Sequence, residues 1–335
     1  MPAVRADSRL MLRLACVFSV AVAADALGQD AGSATPAFTL SPGGQWTTAE
    51  APDPSSPAGQ LARAARLIAE GDPDTAKDIL DDWIKARRRS DNPLLPRAYL
   101  LRGDAKLADG DEYQALYDYE VVITDYPNSE EFITAVAREA EIAKAYLDGL
   151  KRKFLGLRIE TSRRVGEELL IRTQERLPGS AIAEESAFRL ARHYFDIGEM
   201  RLAAEMYSIF QVNFDQSPLI REALLGQIYS NVAGFKGPRY DASVLFEAEL
   251  LLSRYTARYP AAVERDPVIS GLGERIDESR AQHRLEAANW YLRTGKDHAA
   301  SFMLKRLIRS HPRSAAAGEA AELLDQINAA DGGTP

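Results

Sequence analysis

A small residue stands twelve positions before a proline, or before an aspartate in the same place, five times along this chain. The pairs are Ala115 and Pro127, Gly166 and Pro178, Ala203 and Asp215, Ala248 and Pro260, Ala300 and Pro312. In each frame an apolar residue follows four positions after the small one (Tyr119, Leu170, Tyr207, Leu252, Leu304). Another, usually apolar, comes three later (Val122, Thr173, Phe210, Tyr255, Leu307). Offsets of four and three trace one face of a helix. A small side chain lets two helices approach closely, the larger pair fills the groove beside it, and the proline ends the helix.

Ahead of three frames, Gly110, Gly198 and Gly295 stand five residues before the alanine, where glycine suits the turn that closes a preceding helix. Those preceding helices read from Ala98 to Asp109, from Ala187 to Ile197 and from Gln282 to Thr294. Each unit is therefore helix, tight turn, helix. A degenerate frame at the start, Gly71, Ala76, Leu80 and Trp83, lacks the closing proline and reads as the cap of the array.

This pattern resembles the tetratricopeptide repeat over residues 58–328, in about six units. The resemblance implies an all-α fold, helix-turn-helix units stacked as a right-handed superhelical solenoid, with a long concave face that binds another protein. The composition agrees: 335 residues at 46% hydrophobic content can bury a large core, and strand-like alternation of Val, Ile and Thr is nearly absent. A formal charge of −8 with both signs mixed along the helices speaks against nucleic acid as a partner, because phosphate binding needs a basic stripe.

At the N-terminus Arg5, Arg9 and Arg13 precede an apolar stretch from Leu14 to Ala24, and Ala24, Asp25 and Ala26 offer small residues for cleavage. Residues 1–26 thus read as a secretory signal peptide, with cleavage after Ala26 or, as a second choice, after Gly28. The expected location is the periplasm, and any association with the outer membrane would run through a partner. Cys16, the one cysteine, has Arg13 rather than Leu three residues ahead and its apolar stretch behind it, so it does not read as a lipid anchor. Residues 27–57 are rich in Gly, Ser, Thr, Pro and Ala and read as a flexible linker, in which Phe38 and Trp46 are candidates to dock on the first repeat. Residues 329–335 read as a disordered tail.

The last two units carry a closer likeness. Ala248 to Pro260, ending in Tyr259-Pro260, is followed by a long helix from Arg275 to Gly295 and then by Ala299 to Pro312. Residues 240–325 resemble the BamD family, the repeat-built subunits of the outer-membrane β-barrel assembly machinery. The resemblance implies a non-catalytic periplasmic scaffold that docks on the inner face of the outer membrane and helps a partner insert barrel proteins. A periplasmic adaptor for cell-wall or envelope processes, and a carrier holding extended cargo in its groove, stay open as alternatives.

Two insertions lengthen the turn within a unit. Lys151, Arg152, Lys153, Phe154, Leu155, Leu157 and Arg158 lie in the third unit's insertion, and Phe235, Lys236, Arg239 and Tyr240 in the fifth unit's. Equivalent turns of a solenoid share one edge, and insertions there commonly serve binding. Cations mixed with aromatics in an acidic chain suit an acidic partner surface or anionic headgroups. The competing reading is that Phe154 and Phe235 cover neighbouring helix ends while the cations are solvated. Tyr194, Trp290 and Tyr291 are candidates for the groove, with Tyr194 and Tyr291 assigned to the core by their register.

Catalysis finds little support. His193, His283, His298 and His311 are scattered, with no pairing at helical spacing, and the acid pairs Asp81/Asp82 and Glu184/Glu185 read as solvated charge. No phosphate loop or nucleophile elbow is present, and the expectation is a non-enzyme without metal or cofactor.

Overall fold

The computed structural model describes residues 38–40, 46–48, 52–154 and 157–331. The signal-peptide and Cys16 readings fall outside these residues. Residues 1–51 and 52–335 form two separate units. In the first, β1 (Phe38–Leu40) pairs antiparallel with β2 (Trp46–Thr48), so a short hairpin stands within the expected flexible linker. The side chains of Phe38 and Trp46, and with them the docking expectation, lie outside what is described.

The second unit is a run of helix pairs. They are α1 (Pro57–Glu70) with α2 (Pro73–Arg87), α3 (Leu95–Ala108) with α4 (Glu112–Asp125), and α5 (Glu131–Leu147) with α6 (Arg163–Arg176). Next come α7 (Ala181–Asp196) with α8 (Met200–Asn213) and α9 (Ile220–Ala233) with α10 (Ser243–Arg258). Two short helices, α11 (Pro260–Arg265) and α12 (Pro267–Ser270), precede the last pair, α13 (Leu272–Arg293) with α14 (Asp297–Ser310), on which α15 (Ala315–Asp331) packs. Each long helix packs chiefly on those before and after it, which is the order of an all-α tetratricopeptide-type solenoid.

The repeat frame explains the packing. Ala76, Ala115, Ala203, Ala248 and Ala300 are fully buried and Gly166 is buried, and most of the residues at offsets four and seven are fully buried too, including Leu80, Tyr119, Val122, Leu170, Phe210, Leu304 and Leu307. Leu252 departs from the frame: it is half-buried, and its neighbour Leu251 is the buried one.

From α4 on, each second helix also ends in the same way, whereas α2 ends at Arg88 with helical φ and ψ. Tyr126, Leu177, Phe214, Tyr259 and His311 all adopt φ between −133° and −130° with ψ between 52° and 57°. Four of these residues precede a proline, whose ring excludes the helical region for the residue before it. Phe214 takes the same conformation ahead of Asp215, so the stacking reproduces it without the ring.

Inside the units, Gly110, Gly198 and Gly295 carry φ of 72°, 83° and 68°, and Gly71 of the first unit 84°. In each case the glycine and the residue after it donate to carbonyls of the closing helix turn, as in Asp111 N to Lys106 O at 2.9 Å. A side chain at such a φ would be strained, which is why the turn selects glycine.

Two glycines serve close approach. A Cβ on Gly103 would stand 2.4 Å from the Tyr119 ring, and one on Gly226 would stand 2.5 Å from the Tyr207 ring. The large residue of the frame is thus seated on a glycine of a neighbouring helix. Along the chain the core passes from α1–α3 through α4–α8 to α9, α10 and α12. The long α13 then joins two clusters, with Leu272 and Ile276 facing the α9–α12 core and Ala281, Leu285 and Ala288 facing α14 and α15.

Several boundaries differ from the sequence reading. Helix α7 begins at Ala181 and α13 at Leu272, both earlier than expected, because Ser180 caps the first through Ala183 N and α12 leads straight into the second. Helix α15 continues through Asp331, into the expected disordered tail. Tyr194 is buried, as its register suggested, but Tyr291 is only half-buried. The pair α11–α12 was not anticipated. No helix among the described residues is long and apolar enough to cross a membrane.

Candidate protein-binding site

The third unit's insertion folds as a hairpin, β3 (Lys151–Phe154) against β4 (Leu157–Thr161), with a bulge between Arg152 and Lys153. The alternation Leu157-Arg158-Ile159-Glu160-Thr161 is the strand signal the helical reading passed over. The hairpin is tied to the α3–α4 turn of the preceding unit. Arg158 donates to both carboxylate oxygens of Glu112 (2.9 and 2.6 Å) and to the carbonyl of Gly110 (3.0 Å), while Lys153 donates to the carbonyl of Asp109 (2.9 Å). These carbonyls close the C-terminus of α3, where unsatisfied acceptors and the helix dipole favour cations. Arg152 pairs with Glu160 and lies 4.0 Å over the Tyr113 ring.

Three of the hairpin's four cations, Arg152, Lys153 and Arg158, all expected to face a partner, are therefore engaged within the chain. Lys151 and Leu157 are exposed, while the side chain of Phe154 and the whole of Leu155 lie outside the described residues.

The fifth unit's insertion leans the other way, onto α13. Helix α9 takes in its first residues, and Phe235 is half-buried against the α9–α12 core. Nδ1 of His283 donates to the carbonyl of Pro238 at 2.7 Å, and Arg239 pairs with Glu286 at 3.2 Å. Lys236 and Tyr240 remain exposed. Between this loop and α13 an open cleft of about 550 Å³ is lined by Pro238, Arg239, His283, Glu286, Trp290 and Arg293 among others.

A second concavity, about 620 Å³, lies at the unanticipated pair α11–α12, between those helices, the start of α9 and the end of α10. Its floor holds Leu225, Tyr255 and Ile269, and Arg221, Arg258 and Arg265 stand around it. The sequence did carry a trace of it: the small residues Ala248 and Ala300 lie 52 positions apart, with the excess falling after Pro260 rather than in the turn within the unit.

Exposed aromatics concentrate in the same part of the array. Of five exposed aromatic side chains among the described residues, four (Tyr240, Phe246, Trp290 and Phe302) lie within residues 240–302. Phe246 is covered on one face by Arg280 at 4.2 Å, and Trp290 meets Tyr291 edge-on at 5.0 Å.

Ionisable groups inside the array act as fasteners. Buried Asp118 is held by Arg102 and by Lys106 at 2.8 Å, and Arg102 reaches on to Asp81 of the first unit at 2.7 Å. Buried Glu139 shares Arg176 with Glu120, and burial pushes its carboxyl up to about 8 against the pull of that arginine. Lys144 ties to Glu185 at 2.7 Å, and Ser217 donates to Glu184 at 2.6 Å. Asp81 and the Glu184/Glu185 pair, expected to be solvated, thus fasten neighbouring helices together.

Among the histidines, His193 is buried beside Glu167, and burial lowers its pKa although that carboxylate raises it. His311 is buried with Nδ1 on Asp277 at 2.6 Å, and His298 is exposed. No three His, Cys, Asp or Glu residues are grouped to hold a metal ion among the described residues.

Residues 97–129, which span α3, α4 and the closing Tyr126-Pro127, match the tetratricopeptide repeat family model. Among solved structures, the chain is similar to the C-terminal part of a TPR repeat-containing protein from Cytophaga hutchinsonii. The two share 13% identity over 79% of this chain and 87% of that one, with a TM-score of 0.38, a superposition too loose to carry an argument. No curated protein matches the sequence. One tetratricopeptide repeat is thus identified by sequence, in an array of helix pairs built on the same frame. Such repeats mediate protein–protein interaction, and the surface described above is that of a scaffold.

Proposed function

We propose that this chain is an exported, non-catalytic scaffold that binds a protein partner in the assembly of outer-membrane β-barrel proteins. The observation that carries the reading is the gathering of exposed aromatics in residues 240–302. That is the stretch whose sequence resembles the BamD family. Aromatic side chains anchor protein interfaces, where their burial stabilises a complex more than that of most residues. The insertion-bearing edge supports the same reading less directly, since its hairpin cations are engaged within the chain.

The test is crosslinking in cells of the C-terminally tagged chain, with mass spectrometry of the envelope proteins recovered, beside a Phe246→Ala/Phe302→Ala variant. The expected result is capture of an outer-membrane β-barrel protein with periplasmic domains, reduced in the variant. Recovery of cell-wall or division proteins alone would reject the barrel-assembly role in favour of an adaptor, and recovery of many unfolded clients would favour a carrier.

A further inference from the structure

We propose that the cleft walled by α11 and α12 binds an acidic protein segment that also carries an aromatic or aliphatic side chain. The inference deepens the scaffold reading and rests on it for the nature of the ligand. The cleft is an addition to the repeat. The other four junctions between successive units use four to seven residues, whereas the α10–α13 junction uses thirteen, 259 to 271. Those residues form the two short helices that turn an open junction into a walled one.

Its charge runs against that of the chain. Arg221 on α9, Arg258 on α10 and Arg265 on α11 stand around one concavity in a protein of formal charge −8. None of the three lies within ion-pair distance of a carboxylate among the described residues, whereas Arg280 of the adjoining α13 pairs with Glu249 of α10. Two carboxylates share the cleft wall, Glu222 and Asp266, and the second is engaged in capping α12 through Val268 N at 2.9 Å. Three guanidinium forks on three different helices suit carboxylates spaced along a chain, which each can grip with two parallel hydrogen bonds.

The floor asks for more than an anion. Tyr255 and Tyr259 pack ring to ring at 5.2 Å, and Leu225 and Ile269 continue the apolar surface. The volume of about 620 Å³ is far larger than one oxyanion needs, and it falls within the roughly 300–1,000 Å³ of clefts that hold a drug-sized ligand, room for a few side chains of a segment. A membrane surface fits less well. The arginines line a concavity instead of a flat face, which a planar sheet of anionic headgroups cannot enter.

The test uses the purified chain and a fluorescent nonapeptide of alternating aspartate and phenylalanine, read by anisotropy. The comparison variant is Arg221→Ala/Arg258→Ala/Arg265→Ala. All three side chains are exposed, so the variant keeps its fold, which circular dichroism and thermal melting verify. The expected result is saturable binding, weakened at least about tenfold in the triple variant and by raising salt from about 0.1 to about 0.5 M, because exposed charge pairs are screened. A peptide with asparagine in place of aspartate should bind at least about tenfold more weakly.

Equal binding of wild type and triple variant, equal binding of the asparagine peptide, or full displacement by millimolar inorganic phosphate would overturn the proposal. Binding of phosphatidylglycerol vesicles in preference to the peptide would also overturn it and assign the arginines to a membrane. The two readings fail separately. If crosslinking in cells captures the same envelope partner with the triple variant, and the peptide does not bind, the site falls while the scaffold stands. If the peptide binds through the arginines and no barrel protein is captured, the barrel-assembly role falls while the site stands.

Discussion

Replacing Gly103 by alanine sets two effects of known size against each other. Gly103 lies inside α3, where helix propensity alone favours alanine by about 1 kcal/mol. Against this, a Cβ there would stand 2.4 Å from Cε1 of Tyr119 and 2.9 Å from Cδ1 and Cζ. The ring has nowhere to go. It has no exposed surface, its hydroxyl donates to Asp104 at 2.8 Å, and Asp104 is held in turn by Arg138 at 3.0 Å. Overpacking of a filled core costs about 1–3 kcal/mol, and a shift that broke the Tyr119 hydrogen bond would add about 1 kcal/mol. The clash therefore wins, and Gly103→Ala should destabilise by about 1–2 kcal/mol net.

Gly273 in α13 supplies the control. A Cβ there meets only Leu252 Cδ2 at 3.7 Å, an ordinary contact, so Gly273→Ala should stabilise by about 0.5–1 kcal/mol. Urea titration followed by far-ultraviolet circular dichroism reads both, with the slope on denaturant unchanged. In a Tyr119→Leu background the alanine at 103 should lose its penalty, a coupling of at least about 1 kcal/mol. If Gly103→Ala stabilises as Gly273→Ala does, or if the two sites prove additive, the seating of Tyr119 on Gly103 is wrong as a source of packing energy.

Three further outcomes follow from the site and the core. Arg158→Ala should release the hairpin from the α3–α4 turn, leaving the mostly buried Glu112 carboxylate without its partner. Hydrogen exchange should rise at residues 109–112 and 151–161, while global stability falls by only about 1 kcal/mol because the pair is partly screened by solvent. Glu139 has a folded pKa of about 8 against an ordinary 4.5, so its contribution is fully present below about 4.5 and is lost as pH rises through about 8; Glu139→Gln should flatten the fall in melting temperature over that window. Trp83, buried and donating from Nε1 to the carbonyl of Pro57 at 3.0 Å, holds the first unit closed, and Trp83→Ala should cost about 3–5 kcal/mol, with exchange rising first in α1 and α2.

What was legible in the sequence is what depends on local geometry. The small residue with partners at four and seven is set by the period of one helix, and the turn glycine by one φ, so Ala115, Tyr119, Val122 and Gly110 could be placed without any tertiary knowledge. Leu252 shows the limit of that reasoning. The inserted α11–α12 changes what α10 packs against, and the buried position moves by one residue to Leu251. The hairpin at 151–161 was read only as a lengthened turn between two helices, although Leu157 to Thr161 alternates as a strand does.

Charge was the least legible feature, and the reason lies in the architecture. In a solenoid each unit meets only its neighbours, so an acid and a base that pair lie one or two helices apart in sequence. Arg158 and Glu112 are 46 residues apart, Arg176 and Glu120 are 56, and Lys144 and Glu185 are 41. No window along the chain reveals such a partner, and every one of these residues looks solvated within its own element. Of the cations singled out in the hairpin, Arg158 lay opposite an acid of the preceding unit, Glu112, which took it, while Lys153 went to the carbonyl of Asp109 and Arg152 to Glu160 of the hairpin itself. The same geometry gives meaning to the arginines that stay unpaired. Arg221, Arg258 and Arg265 come from successive elements of one junction and so had neighbours to pair with, yet the wall they share with Glu222 and the capping Asp266 leaves them open. In an array that fastens many of its units through paired charges, three open arginines gathered beside one apolar floor are what the proposed acidic segment would engage.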